Sequence, residues 1–158
     1  MSDTCFNQRV TADEHRALGA DLFNKTWALM EQESRTPDED DELVHCAHAS
    51  AYHWLQVGTL ANRVRSEWQC SRVYSVLGRA VPALDHAQRC LELAESDPAE
   101  LEEFDLPFAY EAMARAHAVA GNEAEAHEWL ARARAAGEEI EDEDDRALLE
   151  ADLATVGT

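Results

Sequence analysis

The segment YSVLGRAVPALDHAQRCL, residues 74–91, decides how the chain is read. A helical apolar pattern runs up to Leu77, Gly78 interrupts it, and a second helical pattern follows. Pro82 falls in the first turn of that second helix, where a missing N–H costs nothing. Ala83, Ala87 and Cys90 recur at spacings of three and four, which places them on one helical face. Two helices joined at a glycine and meeting through small residues form the hairpin unit of a helical array. The unit recurs: HAVAGNEAEAHEWLARAR, residues 117–134, lies over it at a constant offset of 43. Gly78 falls on Gly121, Ala83 on Ala126, Ala87 on Leu130 and Cys90 on Ala133, and upstream Ser71 falls on Ala114.

Helical periodicity extends outward from this pair in both directions. It predicts helices over about 11–33, 41–57, 60–77, 81–95, 105–120, 123–136 and 146–156. Thr11 with Glu14 makes a capping box for the first. Gly58 reads as a left-handed stop after the second, with Thr59 capping the third. Asp105 reads as the cap of the fifth, with Pro107 in its first turn. Gly137 reads as the stop after the sixth. The acidic runs 34–41 and 138–145 read as solvated loops, and residues 1–10 as a flexible terminus. No alternating β-branched run suggests a strand. The expected fold class is all-α, with about seven antiparallel helices in a single domain over 1–158.

Composition agrees. The 158 residues include six Gly, four Pro and 46% apolar side chains, enough for one core without a disulfide or metal staple. Net charge is −20, from 33 carboxylates against 13 Lys plus Arg. Such a field repels nucleic acid and anionic membrane and favours solubility and basic partners. The four cysteines form no CxxC pair, and Cys46, Cys70 and Cys90 sit in apolar helical patterns, as reduced buried thiols do. With no signal-like start and no long apolar run, the chain reads as cytoplasmic.

The repeated residues resemble the tetratricopeptide repeat. One unit offers Ser71, Tyr74, Gly78, Ala83 and Cys90, and the other Tyr110, Ala114, His117, Gly121, Ala126 and Ala133. The resemblance covers 65–136, under half of the chain, and the offset of 43 exceeds the family's usual 34 or so. The extra length lies in the acidic connection 95–105, and His117 stands where the family has an aromatic. The resemblance implies a right-handed array of helical hairpins, or a compact bundle with a tetratricopeptide-like half. It also implies that the first helix of each hairpin lines a binding groove.

Helix three supplies the candidate ligand site. Asn62, Arg65, Gln69 and Arg72 fall on one polar stripe, bordered by Trp68. From 59 to 80 there are four arginines, Arg63, Arg65, Arg72 and Arg79, against one carboxylate, Glu67. Guanidinium forks suit carboxylate or phosphate. By the resemblance, Arg65, Trp68, Gln69, Arg72 and Arg115 would face a protein or peptide partner, or a small molecule, that carries an acidic group. The same arginines also suit carboxylates of the chain itself, which would make the stripe internal. A second candidate lies on helix two, where His45, His48 and His53, with Tyr52, could support a metal or a histidine-centred reaction. A third reading is a homo-oligomer that buries the Trp-rich surface. No catalytic residue and no cofactor are expected: Asp85 beside His86, and His127 beside Glu128, point apart on their helices.

Overall fold

The computed structural model describes residues 10–157. Among them lie seven α-helices and no strand: α1 Ala12–Met30, α2 Pro37–Val57, α3 Leu60–Val76, α4 Ala80–Ser96, α5 Asp105–Val119, α6 Glu123–Gly137 and α7 Glu143–Leu153. The chain is therefore all-α, as its periodicity implies. A single 3-10 turn, Pro98–Glu100, lies in the connection before α5. The flexible terminus expected over 1–10 lies, except for Val10, outside the described residues.

Both acidic loops give way in part to helix. The helix expected to begin near 41 begins at Pro37, because Thr36 and Glu39 close a capping box and Pro37 occupies the first position. Asp38, Glu39 and Asp40 then face the positive end of the helix dipole, where anions stabilise rather than fray. The last helix likewise starts at 143 inside the expected loop 138–145. An oxygen of the Asp142 carboxylate accepts the N–H of Asp144 at 2.9 Å and of Asp145 at 3.0 Å. Two further expectations change. Gly58 leaves α2 in extended backbone at φ −82°, not in the left-handed region. Asp105 is the first residue of α5, and its carboxylate accepts the Glu102 N–H at 3.0 Å.

The two glycine turns close with the same bonds. Gly78 and Gly121 stand at φ +68° and +77°, where a Cβ would strain the backbone. Around Gly78, the Arg79 N–H reaches the Tyr74 carbonyl at 2.8 Å and the Gly78 N–H that of Ser75 at 3.1 Å. Around Gly121, the Asn122 N–H reaches the His117 carbonyl at 2.9 Å and the Gly121 N–H that of Ala118 at 3.1 Å. Each pair is a Schellman closure that satisfies carbonyls the helix end would orphan.

Hairpins α1–α2, α3–α4 and α5–α6 follow one another, with α7 packed on α5 and α6. The leading helix α3 touches both α1 and α5, so the three leading helices share one side. The central core joins Val64, Trp68, Ala83, Ala87, Cys90 and Met113, and a second cluster joins Leu29, Leu43, Cys46, Cys70 and Val73. Cys46, Cys70 and Cys90 are buried free thiols.

Small residues let paired helices approach. Ala83 is fully buried and its carbonyl accepts the Ser71 hydroxyl across the α3–α4 crossing at 2.9 Å, and Ala126 is buried in α6. Ala83→Leu or Ala126→Leu should therefore cost about 1–3 kcal/mol through overpacking. Urea titration measures it, and unchanged midpoints would count against close crossings at both positions.

Candidate functional site

The α3 stripe is an internal hub as well as a surface. Glu111 of α5 is fully buried, and three donors converge on its carboxylate. They are Trp68 Nε1 at 2.9 Å, an Arg72 guanidinium nitrogen at 3.2 Å and Arg115 Nε at 2.6 Å. Arg72 also reaches Asp152 of α7 at 3.2 Å, and its guanidinium lies 5.9 Å from the Trp68 ring centre. Arg115 further donates to the Asp152 carbonyl and the Thr155 hydroxyl, each at 2.9 Å. One charge cluster thus ties α3, α5 and α7 together.

Arg65 makes a separate fork. Its Nε and a terminal nitrogen bind the two oxygens of Asp105 at 2.8 and 3.0 Å, with the guanidinium 4.9 Å from the Phe104 ring centre. The remaining stripe residues have structural partners. Asn62 closes the α3 capping box with Thr59, its side-chain oxygen accepting the Thr59 N–H at 3.0 Å. Gln69 is buried and donates to the Phe23 carbonyl at 3.0 Å, while its own side-chain oxygen has no partner among the described residues. The acidic ligand group expected on Arg65 and Arg72 thus meets carboxylates of the chain already in its place.

Beside this hub opens a cavity of about 450 Å³ between α1, α3, α5 and α7. Five rings line it: Phe23, Trp27, Trp68, Phe104 and Phe108. Trp68 lies 5.6 Å from Trp27 and 5.7 Å, edge-on, from Phe108. Leu148 of α7 stands at the mouth with more than half of its surface exposed. The charged lining is four carboxylates, Glu31, Asp105, Asp145 and Asp152, against the single guanidinium of Arg65. Arg65 answers Asp105 and Arg72 answers Asp152. The carboxylates of Glu31 and Asp145 have no partner among the described residues. The site is an aromatic pocket with a surplus of negative charge.

Sequence reading finds Arg65, Trp68 and Arg72 but misses the rings from α1 and α5, the two free acids and Leu148. The spacing of Phe104, Asp105 and Phe108 around a helix start is the available signal for one wall. No local signal ties that wall to α3.

The histidines of α2 do not assemble as one group. His45 is exposed, His53 turns to α1, where its Nδ1 lies 2.8 Å from His15 Nδ1, and His48 turns to α3 and α4. Successive residues on a helix are about 100° apart, so His53 stands well round from His48. His48 Nε2 is 2.8 Å from the Tyr74 hydroxyl. His48 lies at the surface, yet the groups packed around its ring desolvate it and, with the neighbouring His86, hold the imidazole below its usual pKa. Tyr52 is exposed. No described helix is long and apolar enough to cross a membrane.

Comparison with protein-family models, curated proteins and solved structures found no significant match.

Proposed function

We propose that this chain is a tetratricopeptide-like binding module whose aromatic groove takes a peptide segment with an apolar anchor flanked by Lys or Arg. The observation that carries this is the pairing of five rings with two unanswered carboxylates, Glu31 and Asp145, at the same cavity. Rings and Leu148 offer desolvation of an apolar side chain, as small-ligand and peptide pockets do. The free acids select the sign of the flanking charge, and the net charge of −20 draws basic segments over longer range. The resemblance of the α3–α4 and α5–α6 hairpins to the tetratricopeptide repeat supports the placement, since α1, α3 and α5 are leading helices and all line this cavity.

An acidic ligand is the less favourable occupant. It would have to displace Asp105 from Arg65, leaving a carboxylate that is 1% exposed without its cation.

Selection from a displayed random-peptide library tests the reading on the full chain. Enriched sequences should carry an aliphatic or aromatic residue next to Lys or Arg, and their binding should weaken with salt. Leu148→Glu should abolish most of that binding with little effect on melting, because Leu148 is exposed. Glu31→Lys combined with Asp145→Lys should invert the charge preference. Enrichment of Asp and Glu, absence of enrichment, or binding indifferent to Leu148→Glu would each overturn the proposal.

A further inference from the structure

On the side of α3 turned away from the aromatic groove, α2, α3 and α4 bring together His48, Cys70 and His86. One ligand atom from each lies within 4.8 Å of the other two, the one such cluster among the described residues. At about 100° per residue Cys70 stands about 140° round the helix from Arg65 and about 160° from Trp68, so this cluster and the groove occupy different faces. We propose that His48, Cys70 and His86 form a binding site for a divalent ion of the zinc class.

The donor set selects the metal. One thiolate with two imidazoles is a borderline-soft set that suits zinc and its cobalt analogue, and it suits magnesium or calcium poorly. Metal–nitrogen bonds of about 2.0–2.1 Å and a metal–sulfur bond of about 2.3 Å place tetrahedral ligand atoms roughly 3.3–3.6 Å apart. The observed spacing, at most 4.8 Å, exceeds that range by no more than about 1.5 Å, a gap on the scale of side-chain adjustment. The surroundings match what a histidine ligand needs. Glu67 Oε2 lies 2.7 Å from His86 Nδ1, so a proton on Nδ1 leaves Nε2 with the free lone pair. The Tyr74 ring stacks on His86 at 5.6 Å and 10°, and its hydroxyl lies 2.8 Å from His48 Nε2, so one tyrosine touches both imidazoles. Cys70 is buried while His48 is exposed. The ion would therefore sit with its sulfur ligand inside and a fourth position open to water, three protein ligands plus solvent.

Cobalt titration of the purified, metal-free full chain tests this. One cobalt per chain should bind and give a thiolate-to-cobalt charge-transfer band, which zinc then removes by displacement. Cys70→Ser should abolish the band. Glu67→Gln should weaken zinc affinity by about 10–100-fold, the loss typical of an outer carboxylate. His86→Gln should weaken it at least as much. Circular dichroism of each variant reports folding; should Cys70→Ser not fold, half-buried His86 decides through His86→Gln. Cys5→Ser, Cys46→Ser and His53→Gln should leave the band intact. Absence of the band with cobalt in large excess, its survival in Cys70→Ser, an unchanged zinc affinity in folded His86→Gln, or loss of the band in Cys5→Ser, folded Cys46→Ser or His53→Gln would overturn the proposal.

Discussion

Glu111→Ala should destabilise the protein by about 3–5 kcal/mol, the cost of removing one partner from a buried charge cluster. The carboxylate is fully buried and takes three donors, Trp68, Arg72 and Arg115. Truncation leaves an indole N–H and two guanidiniums, whose side chains are only 15% and 12% exposed, without their acceptor. The indole N–H is then orphaned, and the guanidiniums, which keep Asp152 and Thr155 as partners, lose their shared buried counter-charge. Glu111→Gln keeps an oxygen for Trp68 but not the charge for the arginines, so it should recover only part of the loss. Urea unfolding followed by tryptophan fluorescence and circular dichroism measures both. A loss below about 1 kcal/mol, the range of exposed ion pairs, would show that the arginines find water and that the hub is a surface feature.

That hub marks the limit of what the chain discloses locally. The helical class and the two glycine turns are legible, because an apolar helical run that stops at Gly and resumes just beyond it is what a left-handed helix end produces. The acidic run before α2 reads as loop for a physical reason. Carboxylates that suit a loop also suit a helix N-terminus, and Thr36 with Glu39 tips the choice to helix. The stripe Arg65–Trp68–Arg72 is legible as a stripe. Its partners are not, since Asp105, Glu111 and Asp152 lie 40, 39 and 80 residues from the arginines they bind. One signal exists. Glu111 is the lone carboxylate within α5 after its first residue, in a run of alanines and four positions before Arg115, where an i,i+4 pair forms. The histidines show the same limit: spacing on α2 suggests a shared ligand, yet α1 and α4 supply the neighbours that divide His53 from His48.

Arg72→Ala should cost about 3 kcal/mol, the low end for breaking a buried ion pair. Arg72 bridges Glu111 on α5 and Asp152 on α7, so its loss also unties α7 from the hub. The cost stays at the low end because Arg115 remains on Glu111, and because Asp152, 20% exposed, can take up water. The pair with Glu111 makes the sharper test. In Glu111→Ala, part of the damage is the stranded Arg72 charge, and in the double variant that charge is gone. The double variant should therefore be less destabilised than the two single losses added, by an interaction of about 0.5–3 kcal/mol. Thermal and urea melts without any peptide read all three variants. Strict additivity would mean that Arg72 and Glu111 do not sense each other. An unchanged melt in Arg72→Ala would mean that the guanidinium is spare and open to an outside anion. A sub-additive loss means that Arg72 spends its charge inside the fold, which leaves aromatic rings and the Glu31 and Asp145 carboxylates as the open lining of the cavity.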